Sequence, residues 1–286
     1  MPDLPQAQNR TWRDFFPDGD LWVFGYGSLI WKPPPHYDKR IPGFITGYVR
    51  RFWQARYYFA AHFLVFQKLT AACSTDHRGT PEHPGRVVTV IERSFWETLD
   101  DPQKYFESST TSTVWGAAYH IPASHAQEVH DYLDEREIDG YTVHFTPFHP
   151  VYPSSTNGPN GHPTSINSQT TESHPPIPAA KPITCMVYIG LPTNPQFLRD
   201  PAERDPQAVA GVISVSEGQS GRNTEYLYLL EKALEGLGLG SSDGHVTELV
   251  KRVKMIERER NQVETAEKEE SAAAENVRKS LEESVS

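Results

Sequence analysis

Leu21-Trp-Val-Phe-Gly-Tyr-Gly-Ser-Leu-Ile-Trp31 is the stretch around which the rest of the chain is organised. Trp22, Val23 and Phe24 are bulky, β-prone and uninterrupted, as in a strand buried on both faces. Gly25 and Gly27 then bracket Tyr26, and Ser28 follows. Two glycines one residue apart let the backbone leave the β region and approach another group closely. Successive N–H groups in such a turn form a concave nest for an anion or a carbonyl oxygen. A bare Gly-x-Gly is equally a tight turn between a core strand and a loop, so the neighbouring segments decide.

Downstream, Trp31-Lys-Pro-Pro-Pro35 ends regular structure, because each proline removes a donor and fixes φ. Phe44 to Gln54 reads as a second strand, and Arg86–Ile91, Val114–Ile121, Tyr141–Phe145 and Ile183–Ile189 as four more, with partial alternation. Between Pro122 and Tyr141 the period changes to that of a helix: Ala126, Val129, Leu133 and Arg136 fall on one face. Ser124 and Gln127 offer a capping box and Gly140 a stop. Helices are also predicted over Gln207–Val215, Thr224–Leu237 and from about Asp243, the last with Val246, Leu249, Val250 and Val253 on one face. The pattern predicts an α+β fold whose antiparallel or mixed sheet can curl into a barrel. Residues 1–20 read as a flexible arm, 21–256 as the folded domain and 257–286 as a charged helical or frayed tail. Residues 152–181 hold Ser, Thr, Asn, Gly, Pro and His with little to bury, which predicts a disordered loop.

The chain has 286 residues, 37% of them hydrophobic, and a formal net charge of −10. That acidity argues against nucleic acid or an anionic membrane as a partner. Cys73 and Cys185 are the two cysteines, too few for a disulfide framework or a zinc cluster. The longest apolar run, Tyr57 to Phe66, is too short to span a bilayer. The N-terminus shows no signal pattern, so a soluble cytoplasmic protein is expected. Oligomeric state is not readable from these features.

Glu137 is the strongest catalytic candidate. It lies four residues after Leu133 and eight after Val129, so it continues the buried stripe toward the helix C-terminus. Burial and the unfavourable end of the helix dipole both raise a carboxyl pKa, which suits a proton shuttle near neutrality. The alternative is a charged helix end, with Asp134-Glu-Arg-Glu137 making local pairs. Asp76-His-Arg78 before Gly79-Thr-Pro81 reads more readily as a hydrogen-bonded turn than as a catalytic cluster. Ser220-Gly-Arg-Asn-Thr-Glu225 reads as a capping loop that could also bring Arg222 and Asn223 to a cleft. The twelve histidines show no HExxH spacing, so no metal site is expected. No GxSxG elbow and no phosphate-loop spacing occurs, which disfavours a serine hydrolase and a nucleotide-binding protein.

Together the motifs resemble the glutathione-specific γ-glutamylcyclotransferase (ChaC-like) family. The blocks, in family order, are Trp22–Lys32, Arg50–Gln54, Asp76–Pro81 with Gly85–Thr89, Tyr132–Glu137 with Gly140-Tyr141, Val187–Gly190 with Asn194-Pro195, and Ser220–Leu227. The resemblance implies a mixed β-barrel with flanking helices and an enzyme that splits glutathione into 5-oxoproline and cysteinylglycine without a cofactor. It implies that Val23, Phe24, Gly25, Tyr26, Gly27, Ser28 and Leu29 form the γ-glutamyl-binding loop and that Glu137 is the acid/base. A cyclotransferase of broader γ-glutamyl range and a catalytically impaired binding relative are the alternatives. The 152–181 loop is longer than the family's, and Glu217-Gly-Gln-Ser220 replaces its more usual Gly-Pro-Ser.

One segment departs further. Removing Arg56 to Cys73 joins Ala55 to Ser74 and restores the family's spacing. The segment is rich in Phe, Tyr, Leu and Val, with only Arg56 and Lys68 charged, an exposed-patch liability on a surface. It is either a genuine insertion capping the site or a translated intron whose length keeps the reading frame, and the second reading is favoured. Sequencing of mature transcript is expected to show the segment spliced out, and protein lacking 56–73 to be more soluble and more active. Transcript that carries these codons uniformly contradicts the intron reading.

Overall fold

The computed structural model describes residues 11–56, 78–107, 113–136, 141–152, 181–238 and 240–284. In chain order these form β1 (Leu21–Gly25), β2 (Lys39–Thr46), β3 (Tyr48–Arg56), β4 (Gly85–Glu92), the short α1 (Arg93–Trp96) and β5 (Thr113–Ile121). There follow α2 (Ala123–Arg136), β6 (Tyr141–Pro150), β7 (Ile183–Gly190), α3 (Pro201–Arg204) and α4 (Pro206–Val215). A two-residue hairpin of β8 (Glu217–Gly218) and β9 (Gly221–Arg222) leads into α5 (Asn223–Glu235) and α6 (Gly244–Ser284). Glu137, most of the 56–73 segment and most of the 152–181 loop lie outside the described residues.

The apolar run of β1 sits in the wall of a closed barrel with strand order β1-β5-β2-β6-β7. Leu21 faces Ile121 and Gly25 faces Ala117 across the antiparallel β1–β5 ladder, while Val23 meets Met186 of β7 in parallel. The remaining barrel ladders are antiparallel, so the mixed barrel of an α+β protein is the observed architecture. The main core joins barrel residues such as Phe24, Ile45, Tyr119 and Phe148 to helix residues such as Leu133, Ile213, Leu227 and Leu249. In α2 the buried residues are Ala126, Val129, Leu133 and Arg136, the stripe expected from spacing. Val129 and Leu133 are fully covered, each burial worth about 1.5–3 kcal/mol.

Phe44 to Gln54 is not one strand. The chain turns at Gly47, whose φ of +84° lies in the left-handed region that glycine enters at little cost. Before it, β2 belongs to the barrel; after it, β3 pairs with β4 in a separate two-stranded sheet. That sheet builds a second core from Val49, Trp53, Ile91, Trp96, Phe197 and Leu198. Arg51, fully buried, bonds Asp101 at 2.8 Å and Glu107 at 2.7 Å. Beside it, His245 accepts from the Phe52 N–H (3.0 Å) through Nε2 and therefore donates from Nδ1 to Gln103 Oε1 (2.6 Å). Burial, with the Arg51 and Arg50 guanidiniums nearby, keeps that ring neutral by lowering its pKa well below the ordinary value.

Three further expectations need correction. The 1–20 arm is not loose throughout: Trp12 and Phe16 are buried in the main core, because each hides a large apolar surface there. The start of α2 is capped not by Ser124 but by Asp20, whose Oδ1 accepts from the Ala123 N–H at 2.9 Å. The strand expected over Tyr141–Phe145 runs on to Pro150, since Phe44 and Ile45 of β2 pair with His149 and Phe148. Beyond Arg258, of the helix and frayed-tail readings the helix is observed, continuing to Ser284, with residues 261–274 exposed.

Asn223 is not at a cleft. Fully buried, it accepts from the Arg86 N–H at 2.7 Å and donates to the Arg86 carbonyl at 2.8 Å, as a neighbouring strand would. Asn223→Ala leaves a buried donor and acceptor on β4 without these bonds and is expected to cost about 2–4 kcal/mol. Urea denaturation measures it. A change within ~0.5 kcal/mol, as at an ordinary surface position, contradicts the assignment.

Candidate active site

The turn after β1 is held from three sides. Within it, Ile30 N donates to Gly27 O at 3.0 Å and Trp31 N to Ser28 O at 3.1 Å, forming a short 3-10 turn over Ser28–Ile30. From β5, the Tyr119 hydroxyl donates to Leu29 O at 2.8 Å, with Ile30 O at 3.2 Å. Burial raises the pKa of that hydroxyl, so it stays a protonated donor. From β7, the Tyr188 carbonyl accepts from the Tyr26 hydroxyl at 2.8 Å.

The third hold comes from the last turn of α2. Arg136, 4% exposed, donates from Nη2 to Ser28 Oγ (3.0 Å) and from Nη1 to Lys32 O (3.1 Å). Two residues earlier, Asp134 Oδ1 accepts from the Tyr188 hydroxyl at 2.6 Å. The buried stripe of α2 thus ends directly on the glycine turn. The guanidinium on Ser28 is a permanent donor and cannot serve as its base.

A cavity of about 40 Å³ lies against this turn, room for about three water molecules. Phe24, Tyr26, Gly27, Ser28 and Leu29 form one wall. Val88 of β4, Tyr141 of β6, Tyr188 of β7 and Tyr226 of α5 form the other. A methyl carbon on Gly27 would stand 2.9 Å from Val88 Cγ1 and 3.2 Å from the Tyr226 hydroxyl, so glycine keeps the space open. Five of the seven residues expected in the binding loop therefore meet the cavity. Val23 is fully buried in the barrel wall, and Gly25 is packed under Leu29, whose Cβ is 2.6 Å from where a side chain would begin.

Tyr141, Tyr188 and Tyr226 each stand inside a motif block, and the sequence alone assigns them no role. Their signal was a tyrosine placed among buried apolar neighbours, where the hydroxyl needs a partner. Tyr141 donates to Val88 O at 3.1 Å. Arg78, the described end of the Asp-His-Arg block, is 2% exposed and donates to Arg222 O (3.0 Å) and Glu225 Oε2 (3.2 Å). Its guanidinium carbon lies 5.7 Å from the Tyr226 ring centroid, so this block supports the cavity wall. The Thr80–His83 turn beside it is hydrogen-bonded in both directions. Among the described residues one set of metal-type ligands converges, His36, His125 and Glu128. Two of these stand at the start of α2, roughly 12–17 Å along the helix from Arg136 at 1.5 Å per residue.

This geometry has relatives. A family model described as ChaC-like protein matches residues 21–256. The glutathione-specific gamma-glutamylcyclotransferase of Schizosaccharomyces pombe is 39% identical over 238 residues, 83% of this chain and 94% of that protein. Its namesake in Saccharomyces cerevisiae is 38% identical over 245 residues, 80% of this chain and 91% of that protein. A crystal structure of a gamma-glutamyl cyclotransferase specific to glutathione from yeast superposes with a TM-score of 0.63 at 32% identity, covering 82% of this chain and 96% of the other. The glycine turn, the end of α2 and the tyrosines opposite all fall inside the matched span, and the chain belongs to the ChaC-like family.

Proposed function

We propose that this protein cleaves glutathione into 5-oxoproline and cysteinylglycine. The observation that carries the reading is the cavity itself, walled by Phe24, Tyr26, Gly27, Ser28 and Leu29 and abutted by the last turn of α2. Relatives that bear this activity in their names share the span containing both. A cytoplasmic location belongs to the same proposal, and the free, buried thiol of Cys185 suits a reducing compartment.

In this reaction the γ-glutamyl α-amine attacks its own γ-carbonyl carbon, a C–N bond closes the five-membered ring, and the bond to the cysteinyl nitrogen breaks. No water is consumed. The amine must lose a proton to become nucleophilic, and the departing nitrogen must gain one. One carboxylate beside both nitrogens performs both transfers in turn. We assign that role to Glu137. Arg136, its neighbour in sequence, is bonded to Ser28 on the cavity wall. The N–H groups of the glycine turn take the role of donors to the oxygen charge that develops at the γ-carbon. Seating the glutamyl chain on the turn requires the tyrosine wall to move outward from the present cavity of about 40 Å³, and holding that chain curled, amine against carbonyl, is the proximity contribution.

Purified protein given glutathione is expected to release 5-oxoproline and cysteinylglycine in equal amounts. Glu137→Gln keeps shape and hydrogen bonding but removes the proton carrier, and turnover should fall by at least ~10²-fold in a folded protein. A folded variant with most of its activity removes Glu137 from the role.

Gly27→Val places atoms where Val88 and Tyr226 already stand within 3.2 Å of a first side-chain carbon. Glutathione binding, followed by calorimetry, should be lost. Unchanged affinity in the folded variant would move the substrate elsewhere.

A further inference from the structure

We infer that His36, His125 and Glu128 form a binding site for a divalent transition-metal ion of the zinc class, joining the loop before β2 to the first turns of α2. Two imidazoles and a carboxylate are a donor set that zinc accepts, with water completing the tetrahedron. His36 Nε2 lies 3.4 Å from Glu128 Oε1, and His125 Nδ1 lies 3.3 Å from Glu128 Oε2. Ligands about 2.0–2.1 Å from a tetrahedral ion stand about 3.3 Å apart, so each imidazole is already at coordination spacing from one oxygen of the Glu128 carboxylate, a different oxygen for each ring, and a small turn of that exposed carboxylate accompanies binding. All three donor atoms lie within 4.8 Å of one another.

The edge between the two imidazoles must close. The two rings are stacked, 4.2 Å between centroids and 5° from parallel. A ring nitrogen's lone pair lies in the ring plane, so seating an ion requires at least one imidazole to rotate. The side chains are 41% and 42% exposed, which leaves room for that rotation.

The backbone supplies an independent observation. Among the described residues His36 is the non-glycine residue with positive φ, at +57°. Such a conformation is uncommon and persists where its surroundings impose it. Upstream, Pro33-Pro-Pro35 restricts the chain and Pro34 is buried. Downstream, Asp38 N donates to His120 O at 3.0 Å, and Asp38 Oδ1 pairs with His120 Nδ1 at 2.5 Å. The loop is thus held at both ends with His36 presented to the α2 carboxylate. Exposed ion pairs contribute little by themselves, and they do not account for a left-handed residue fixed at this point. Since the ligands come from positions 36, 125 and 128, no linear spacing announces them.

A bound ion would fasten the loop at one end of α2 while Arg136 fastens Lys32 of the same loop at the other. The test is calorimetric titration of zinc chloride into the metal-free full chain, with the melting temperature followed in parallel. The expected result is saturable one-to-one binding with a zinc-dependent rise in melting temperature. His36→Ala and His125→Ala should each weaken affinity by at least ~10-fold, since even loss of an outer-sphere partner costs that much. The double variant should lose the melting shift while its metal-free melting temperature stays that of the wild type, because both side chains are exposed. Glu128→Gln, with both rings kept, supplies a second variant and should weaken binding too. No saturable binding by the wild type, or wild-type affinity in the double variant, overturns the site.

Discussion

The Arg136 guanidinium is the constraint on which the site depends. One nitrogen holds Ser28 Oγ and another holds the Lys32 carbonyl, so the end of α2 and the loop after β1 form one rigid corner. Charge-assisted bonds of this kind are stronger than neutral ones, and the 4% exposure of Arg136 limits their screening. A fork that is planar and always protonated suits the task, which a lysine at this position would perform poorly. Asp134 adds the second tie, to Tyr188 across the cavity. Barrel strand, glycine turn and helix end are thereby fixed relative to one another before any substrate arrives, the preorganisation that positional catalysis requires.

The rest of the fold supports that corner by covering it. β3 and β4 leave the barrel at Gly47 and carry Val88 to the cavity wall. Their outer face packs on a second core with Arg51 enclosed between Trp53 and Trp96, at 5.9 and 5.4 Å from the ring centroids. Taking Arg51 out of water is costly, and Asp101 on Nε and Glu107 on Nη1 offset part of that cost. Asp101 also accepts from Trp96 Nε1 and from the Gln103 N–H, so one carboxylate organises the whole turn after α1. α5 then brings Tyr226 across the opening, with Asn223 registering the helix on β4.

How much of this was legible depends on whether the signal was local. The uninterrupted Trp22-Val-Phe24 run and the Gly-Tyr-Gly-Ser turn read correctly because buried strands and tight turns impose composition on adjacent residues. The stripe Ala126, Val129, Leu133 and Arg136 emerged because helical periodicity survives in a single segment. That Arg136 belongs to the stripe hinted at its buried partners but could not name Ser28 and Lys32, more than a hundred residues away in sequence. The same limit hid Tyr141, Tyr188 and Tyr226, which converge only once β6, β7 and α5 are assembled. Phe44 to Gln54 misled for a different reason. Its residues are β-prone throughout, and a single glycine inside such a run signals a bend only weakly. Trp12 and Phe16 were overlooked because prolines and polar residues outnumber them in the arm that carries them.

The central claim is that the scissile bond is broken by the substrate's own amine and not by water. Running the reaction with glutathione in ¹⁸O-enriched water, with products followed by mass spectrometry, tests this directly. The account predicts unlabelled 5-oxoproline and unlabelled cysteinylglycine in equal amounts. Release of glutamate carrying solvent oxygen would show hydrolysis and contradict it.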